Sequence, residues 1–314
     1  MFREALGKQL IIADGGMGTE LQRAGLELGE APMLWNITHP EQVKGIHTAY
    51  LEAGAGYVTA NTFGASALGL KDTPYSMEEV VHAGMRLARE AVDEFCNRTF
   101  ATEYVSSAYA EAHSDKAYAA LDISPLGELL EPMGQVSFDE ALRLFKEQIA
   151  VGVSAGADFI CIETMIDLVE LKAAVLAAKE TCSLPIVATV SINEQGCLYL
   201  TGEGLDGVAA LLDSLGVEGL GINCGSGPKQ MEPFIRQLST LTSTPLVFCP
   251  NAGLPTLEDG KAVYHLSPEE FAAQMKPLAE GCLAVAGGCC GTTPAHIKAL
   301  TEAVGDTMQS GQNR

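Results

Sequence analysis

The sequence has few basic residues, few aromatic residues and no long apolar run. Its 314 residues include 19 Lys and Arg against 40 Asp and Glu, which gives a formal net charge of −21. Such a charge repels the phosphate backbone of nucleic acids and anionic lipid surfaces. No apolar run reaches the roughly 18 residues that a membrane-spanning helix needs, and no secretory signal is visible. We therefore expect a cytoplasmic protein that binds neither nucleic acid nor membrane.

Nucleotide-binding motifs are also missing. The glycines that follow the first apolar run do not have the G-x-G-x-x-G spacing of dinucleotide sites, and no Walker lysine accompanies them. The six histidines fall in predicted helices or loops rather than at strand ends, which predicts structural or solvated roles for all of them. They are His39, His47, His82, His113, His265 and His296.

Short apolar runs alternate with segments of helical periodicity. The candidate strands are residues 10–13, 57–60, 117–123, 158–162, 186–191, 219–223, 245–248 and 282–286. Helix starts are marked by Ser137 and Ser267. Eight alternating units favour a single-domain α/β fold, a (β/α)8 TIM barrel over residues 1–314, and a doubly wound sheet is the alternative. Residues 100–116 either extend a helix or form an excursion, and residues 306–314 are expected to be a frayed polar tail.

Three cysteines stand at predicted strand ends. Cys224 ends the sixth strand and Cys289 and Cys290 follow the eighth, so in a barrel their sulfurs converge at the carboxyl-terminal face. The glycines around the pair offer the positive-φ freedom that lets two adjacent cysteines face one ion. Three thiolates suit Zn²⁺ and leave a fourth position for water or substrate. Spacing alone leaves metal ligation and a role as buried or redox-active thiols equally open.

Two carboxylates also emerge at predicted strand ends. Asp14 follows the first strand in a glycine-rich turn, where the amides of Gly15, Gly16 and Met17 can cradle a small carboxylate and Asp14 can take an ammonium. Glu163 follows the fourth strand, and a carboxylate in that position needs a partner such as a substrate ammonium. The alternatives are a plain turn for the glycines and an internal ion pair or helix cap for Glu163.

Five ordered motifs extend these observations over nearly the whole chain. They are Asp-Gly-Gly-Met-Gly-Thr (14–19), Asn-Thr-Phe-Gly-Ala (61–65), Gly-Ile-Asn-Cys (221–224), Pro-Asn-Ala-Gly-Leu-Pro (250–255) and Gly-Gly-Cys-Cys-Gly-Thr-Thr-Pro (287–294). In these motifs the sequence resembles the homocysteine S-methyltransferase family, especially the N-terminal homocysteine module of cobalamin-dependent methionine synthase. The resemblance implies zinc-dependent methyl transfer to the thiol of L-homocysteine, giving L-methionine.

The resemblance also implies roles for individual residues. The three cysteines named above would bind the catalytic zinc. Asp14 and Glu163 would hold the homocysteine ammonium, and amides near Gly15 to Met17 would hold its polar end. Asn251 would be a weak oxygen ligand that the substrate sulfur displaces.

Two positions depart from the family pattern. Thr59 stands where the methionine synthase branch commonly has an acidic residue, and Ser124 stands where the family usually has glycine before proline. These departures affect the expected substrate contacts and leave the zinc residues unchanged.

The methyl donor is a separate question. The motif at residues 250–255 favours a methyl-corrinoid donor, carried on a separate protein because 314 residues accommodate only the homocysteine barrel. Within the enzyme class, the alternatives are S-methylmethionine or betaine as donor and selenocysteine or another thiol as acceptor. Outside it, the alternative is a zinc-binding or redox-sensing protein in which Cys289 and Cys290 form a reversible disulfide.

Overall fold

The computed structural model describes residues 2–27, 29–101, 117–258 and 261–310. At its centre lie eight parallel strands, each of which coincides with a predicted strand. They are β1 (Ile11–Ile12), β2 (Tyr57–Thr59), β3 (Tyr118–Ile123), β4 (Phe159–Met165), β5 (Ile186–Val190), β6 (Gly219–Cys224), β7 (Leu246–Pro250) and β10 (Leu283–Ala286). Between β7 and β10 the chain forms a separate hairpin of β8 (Thr256–Glu258) and β9 (Lys261–Val263).

Helices connect these strands and surround them. They are α1 (Phe2–Ala5), α2 (Met17–Ala24), α3 (Trp35–Thr38), α4 (Pro40–Glu52), α5 (Met77–Ala101), α6 (Phe138–Ser154), α7 (Leu168–Thr181), α8 (Leu205–Leu215), α9 (Pro228–Leu241), α10 (Pro268–Gly281) and α11 (Pro294–Ser310). In the described part of the chain, none of the helices combines the length and the apolar character needed to cross a membrane.

The predicted helix starts are confirmed by their caps. The Ser137 side chain accepts a hydrogen bond from the amide of Glu140 at the start of α6. Ser267 and Glu270 form a reciprocal capping box at the start of α10. Each cap satisfies an amide that the first helical turn leaves without an intrahelical acceptor.

The structure describes only part of the two segments whose conformation was open or expected to be frayed, residues 100–116 and 306–314. α5 continues through Ala101, so the ambiguous segment at 100–116 begins as helix, whereas residues 102–116 lie outside the described part. α11 continues to Ser310 and so enters the segment expected to be a frayed tail. Residues 311–314 lie outside the described part.

The sheet closes into a barrel, as predicted, and is not an open doubly wound sheet. The strands follow the order β1, β10, β7, β6, β5, β4, β3, β2, with parallel pairing throughout. The two ends of this order meet where the amide of Gly56 donates to the carbonyl oxygen of Ile12 at 2.8 Å. A side chain completes the seam, because the Asp14 carboxylate accepts from the amide of Thr59 at 2.7 Å.

Aromatic side chains fill the amino-terminal end of the barrel. Phe2 from α1 stacks on Phe159 with ring centroids 3.8 Å apart, and it meets Tyr57 and Tyr118 edge to face. The rings of Phe2 and Phe159 are buried, and edge-to-face and stacked contacts of this kind add to the free energy of burial. The barrel is therefore closed at this end, and the opposite end is left to form a pocket.

The hairpin of β8 and β9 was not expected from the sequence. Its strands pair antiparallel between β7 and α10, with Thr256 opposite Val263. Residues 256–258 are all exposed, so the segment has no alternation of buried and exposed residues to mark it as a strand.

Candidate active site

A pocket opens at the carboxyl-terminal ends of the barrel strands. Its volume is about 240 Å³, which is below the roughly 300–1,000 Å³ of pockets for drug-sized ligands and suits a ligand of amino-acid size. All of the predicted site residues except Asn251 line it: Asp14, Gly15, Gly16, Met17, Glu163, Cys224, Cys289 and Cys290. None of the five histidines in the described part of the chain is among its lining residues, and His113 lies outside that part.

The three predicted cysteines converge on one point. The sulfurs of Cys224, Cys289 and Cys290 all lie within 4.8 Å of one another, and those of the adjacent pair are 4.0 Å apart. Tetrahedral zinc with Zn–S bonds of about 2.3 Å places its sulfur ligands about 3.8 Å apart, so this spacing fits a metal ion. Cys224 adopts a φ of 62°, a left-handed conformation that is uncommon for a residue with a side chain.

The thiols share negative charge unequally. Cys289 and Cys290 both hydrogen-bond to the sulfur of Cys224, which lowers the pKa of Cys224 to about 3. The same hydrogen bonds raise the pKa of the Cys289 thiol and raise that of Cys290 to about 12. The cluster is thus built to hold a negative charge on sulfur, which is the form that ligates metal.

The glycines around the cysteine pair act differently from the prediction. Only Gly291 has a positive φ, of 80°. The prediction is wrong for Gly287 and Gly288, which are required by close packing. A Cβ atom on Gly287 would lie 2.5 Å from the Cβ of Ala13, and one on Gly288 would lie 2.4 Å from Cγ2 of Thr292. The first approach brings the turn after β10 against the end of β1, and the second is a close contact within the turn after β10.

Asn251 lies directly after β7 and leaves one polar atom unsatisfied. Its Nδ2 donates to the carbonyl oxygen of Gly225 at 2.9 Å, which fixes the orientation of the amide. Its Oδ1 is buried and has no hydrogen-bond partner among the described residues. Asn251 also hydrogen-bonds to Cys224. The hydrogen bond to Cys224 places Asn251 next to the cysteine cluster, and its role as a weak oxygen ligand stays a prediction.

Asp14 and Glu163 both face the pocket, and burial is the main cause of their perturbed pKa values. Desolvation raises the pKa of Asp14 to about 7, against hydrogen bonds from Thr59 that lower it. Desolvation, together with the charges of Asp14 and Cys224, raises the pKa of Glu163 to about 8. Since both effects penalise the anionic form, a cation between the two groups would stabilise both charges.

Asp122 is a third carboxyl group of the pocket, and sequence reasoning missed it. It is 4% exposed, and its Oδ1 has no hydrogen-bond partner among the described residues. Its position two residues beyond Ala120 and four beyond Tyr118 in β3 was the available signal, because alternate residues of a barrel strand point inward. Within the described part of the chain, no lysine or arginine lines the pocket. Its three carboxyl groups therefore favour a ligand with a positive charge.

The glycine-rich turn after β1 forms the start of α2. The amide of Gly16 donates to Oγ1 of Thr292 at 3.1 Å, so this amide already has an acceptor. Met17 and Gly18 begin α2 and line the pocket, and amides in the first helical turn have no intrahelical acceptor. The helix N-terminus thus presents amides and a partial positive charge to the part of the pocket next to Asp14.

Asn223 is a second pocket residue that sequence reasoning missed, although it lies within the Gly-Ile-Asn-Cys motif (221–224). It is 1% exposed, and its Oδ1 accepts from the amide of Thr164 at 2.8 Å and from Oγ1 of Thr189 at 2.9 Å. Its Nδ2 donates to Oγ1 of Thr164 at 2.7 Å and lies 3.4 Å from Oε2 of Glu163. Asn223 therefore fixes the carboxylate side of the pocket to the strand that ends in Cys224.

The two departures from the family pattern also have structural roles. The Thr59 hydroxyl and amide both donate to the Asp14 carboxylate, at 3.0 Å and 2.7 Å. The Ser124 hydroxyl accepts from the amide of Gly64 at 2.8 Å and joins the loops that follow β2 and β3. Thr59 thus donates hydrogen bonds to Asp14 at a position where the side chain of an acidic residue would repel the Asp14 carboxylate.

A closed barrel with three convergent thiols beside a pocket that is rich in carboxyl groups and of amino-acid size defines a class of thiol-centred (β/α)8 proteins. The sequence model described as homocysteine S-methyltransferase matches residues 11–304. The chain belongs to the homocysteine S-methyltransferase family.

Curated relatives agree with this assignment, and a solved structure shares the fold. The chain is 33% identical over 315 aligned residues to methionine synthases of Mycobacterium tuberculosis and Mycobacterium leprae, covering 96% of this chain and 25% of each relative. It thus spans about a quarter of the length of those proteins. The metallated form of the homocysteine methyltransferase MmuM from Escherichia coli has the same fold, with a TM-score of 0.75, 22% identity, and coverage of 94% of this chain and 96% of that one.

Proposed function

We propose that the chain catalyses zinc-dependent transfer of a methyl group to the thiol of L-homocysteine, giving L-methionine. The observation that carries this proposal is the convergence of three thiols and two perturbed carboxyl groups on one amino-acid-sized pocket. Membership of the homocysteine S-methyltransferase family supports it. We place the reaction in the cytoplasm, because thiols kept ready for a metal need a reducing compartment.

Zinc fits the residues present. Cys224, Cys289 and Cys290 would supply three soft sulfur ligands. Asn251, whose side chain hydrogen-bonds to Cys224 and whose Oδ1 is unsatisfied, would supply a weak oxygen ligand. Soft thiolates select zinc over magnesium or calcium. When bound, zinc supplies Lewis acidity that lowers the pKa of a thiol, so that sulfur is nucleophilic at neutral pH.

The remaining pocket residues recognise the amino-acid part of homocysteine. Asp14 and Glu163 receive its ammonium, and the presence of that cation favours their charged forms. The amides at the start of α2, including that of Met17, receive its carboxylate. These contacts orient the side chain of homocysteine toward the three cysteines, and orientation of two reactants is itself a large contribution to rate.

We assign the methyl donor to a methyl-corrinoid carried by a separate protein. Eight large apolar side chains are more than a third exposed in the described part of the chain, and seven of them lie in segments that follow barrel strands at the carboxyl-terminal face. They are Phe63, Leu129, Met133, Val169, Tyr199, Leu254 and Leu257. We take these side chains as part of the surface that contacts the donor protein. In the transfer, sulfur forms a bond to the methyl carbon and the cobalt keeps the electron pair of the broken bond.

A small cationic donor is the second candidate, and one observation favours it. The pocket has three carboxyl groups and no basic side chain among its described lining residues, which attracts a sulfonium such as S-methylmethionine or a quaternary ammonium such as betaine. In that reaction the neutral thioether or tertiary amine leaves with the electron pair of its bond to the methyl group.

The test is a methyl-transfer assay with purified protein and a panel of donors. Methionine formation is measured with homocysteine and each of four donors: methylcobalamin, a methylated corrinoid protein, S-methylmethionine and betaine. We expect methionine with the corrinoid donors, fastest with the protein-borne one, and loss of activity after zinc removal. Turnover with S-methylmethionine or betaine alone would overturn the donor assignment. No turnover with any donor, from protein that lacks stoichiometric zinc, would favour a thiol switch instead.

A further inference from the structure

The hairpin of β8 and β9 leads back to the cysteine cluster. Tyr264 follows β9 directly, and its side chain packs against Gly291, next to Cys290. A Cβ atom on Gly291 would lie 2.1 Å from Cγ of Tyr264, so only glycine leaves room for this ring. The aromatic ring and the cysteine turn therefore occupy positions that depend on each other.

Backbone hydrogen bonds fix the position of Tyr264. The amide of Ala252 donates to the carbonyl oxygen of Cys290 at 3.0 Å. The amide of Leu266 donates to the carbonyl oxygen of Ala252 at 3.4 Å. His296 lies 2.9 Å from the Leu266 carbonyl oxygen through Nε2, which must be the protonated nitrogen because a carbonyl only accepts. The segment that carries Tyr264 is thus joined to the segment that carries Cys290.

The Tyr264 hydroxyl reaches the cluster itself. It hydrogen-bonds to the side chain of Cys290, and the charges of Cys224 and Cys289 also act on it. A thiolate that ligates a metal ion has no proton to donate, so the phenol O–H donates this hydrogen bond and the sulfur accepts it.

We propose that Tyr264 is a positioning residue of the metal centre, which orients the Cys290 sulfur and withdraws charge from it through this hydrogen bond. The proposal rests on the proposed zinc site. Hydrogen bonds to metal ligands from surrounding residues fix ligand geometry, and their loss typically lowers metal affinity about 10- to 100-fold. The hairpin of β8 and β9 does not belong to the barrel sheet. In this proposal it serves the site by placing Tyr264 next to Cys290.

Tyr264→Phe removes the hydroxyl and keeps the ring against Gly291. Tyr199→Phe is the matched control, because Tyr199 also lies at this face of the barrel but is 56% exposed. Zinc affinity is measured by competition with a chelator. We expect about 10- to 100-fold weaker zinc binding for Tyr264→Phe and unchanged binding for Tyr199→Phe. Equal zinc affinity in both variants and the parent protein would overturn the proposal.

Two further readouts separate a role at the metal from a general loss of structure. In protein loaded with Co²⁺, the sulfur-to-cobalt charge-transfer absorption should shift in Tyr264→Phe and stay in place in Tyr199→Phe. In metal-free protein, mass spectrometry should show slower alkylation of Cys290 at a fixed pH in Tyr264→Phe, because loss of the hydrogen-bond donor leaves less of the thiol as thiolate. If the parent protein binds no zinc, the proposed function fails, and the alkylation experiment still decides whether Tyr264 acts on Cys290. Unchanged alkylation would then overturn the Tyr264 proposal.

Discussion

The two ends of the barrel are built from the same strands and have opposite chemistry. In β4, the side chains of Phe159, Cys161 and Glu163 alternate inward, so one strand runs from the aromatic plug to the pocket. The plug end contains rings whose positions are set by packing, whereas the pocket end contains thiols and carboxyl groups with perturbed pKa values. Inside the barrel, apolar packing thus dominates at one end and chemistry at the other, and substitutions at the two ends should separate stability from activity.

The largest effect is expected at the cysteine cluster. Cys224→Ala removes one of three sulfur ligands and should abolish zinc retention and methyl transfer, while the thermal transition of the metal-free protein changes little. Metal content by elemental analysis and circular dichroism melting check the two parts. Cys182→Ala is the control for general thiol loss and should retain zinc. Unaltered zinc content in Cys224→Ala would contradict the assignment of the metal site.

The plug end should show the reverse pattern. Phe159→Ala leaves a cavity beneath Phe2 and should lower the free energy of unfolding by about 3–5 kcal/mol. Zinc content, measured well below the melting temperature, should be normal. Phe63→Ala is the matched phenylalanine at the pocket end, where it is 46% exposed, and its stability should stay within about 0.5 kcal/mol of the parent. Similar denaturation curves for the two variants would show that the ends do not differ in this way.

The fold could be predicted from the sequence to a greater extent than the site. All eight barrel strands could be predicted, because parallel strands that are buried on both faces appear in the sequence as continuous apolar runs. The hairpin could not be predicted because residues 256–258 are exposed and show no strand pattern. The position of Tyr264, which depends on the hairpin, could not be predicted either. The cysteines were found at strand ends, but the packing roles of Gly287 and Gly288 depend on contacts with distant residues, which a sequence pattern does not contain. Asp122 could have been found from its inward register in β3.

The next effect concerns the carboxylate side of the pocket. Glu163→Gln keeps the side-chain volume and removes the charge that we propose faces the homocysteine ammonium. Homocysteine binding should weaken by about 1.5–3 kcal/mol, the range for a hydrogen bond to a charged group. Calorimetric titration of zinc-loaded protein measures this, with Glu194→Gln, in an exposed loop of the same face, as the control. If Glu163→Gln binds homocysteine as tightly as the control, Glu163 has a structural role only.

The smallest expected effect is a pH dependence of stability that comes from Asp14. Its pKa is about 7 in the folded protein and 3.8 as the ordinary value, so at pH 6 the folded state holds a proton that the unfolded state has lost. Stability therefore falls as the pH rises from about 4 to about 7 and levels off above that, and the part between pH 6 and pH 8 is about 1.4 kcal/mol for this one group. Asp14→Asn should remove that part of the slope in chemical denaturation of metal-free protein, and Glu41→Gln, on the exposed surface, should keep it. Homocysteine should flatten the slope of the parent protein, because its ammonium stabilises the Asp14 carboxylate and lowers its pKa. A slope that is the same in the parent and in Asp14→Asn would show that Asp14 is ionised across this range and that the anionic pocket needs no ligand to hold its charge.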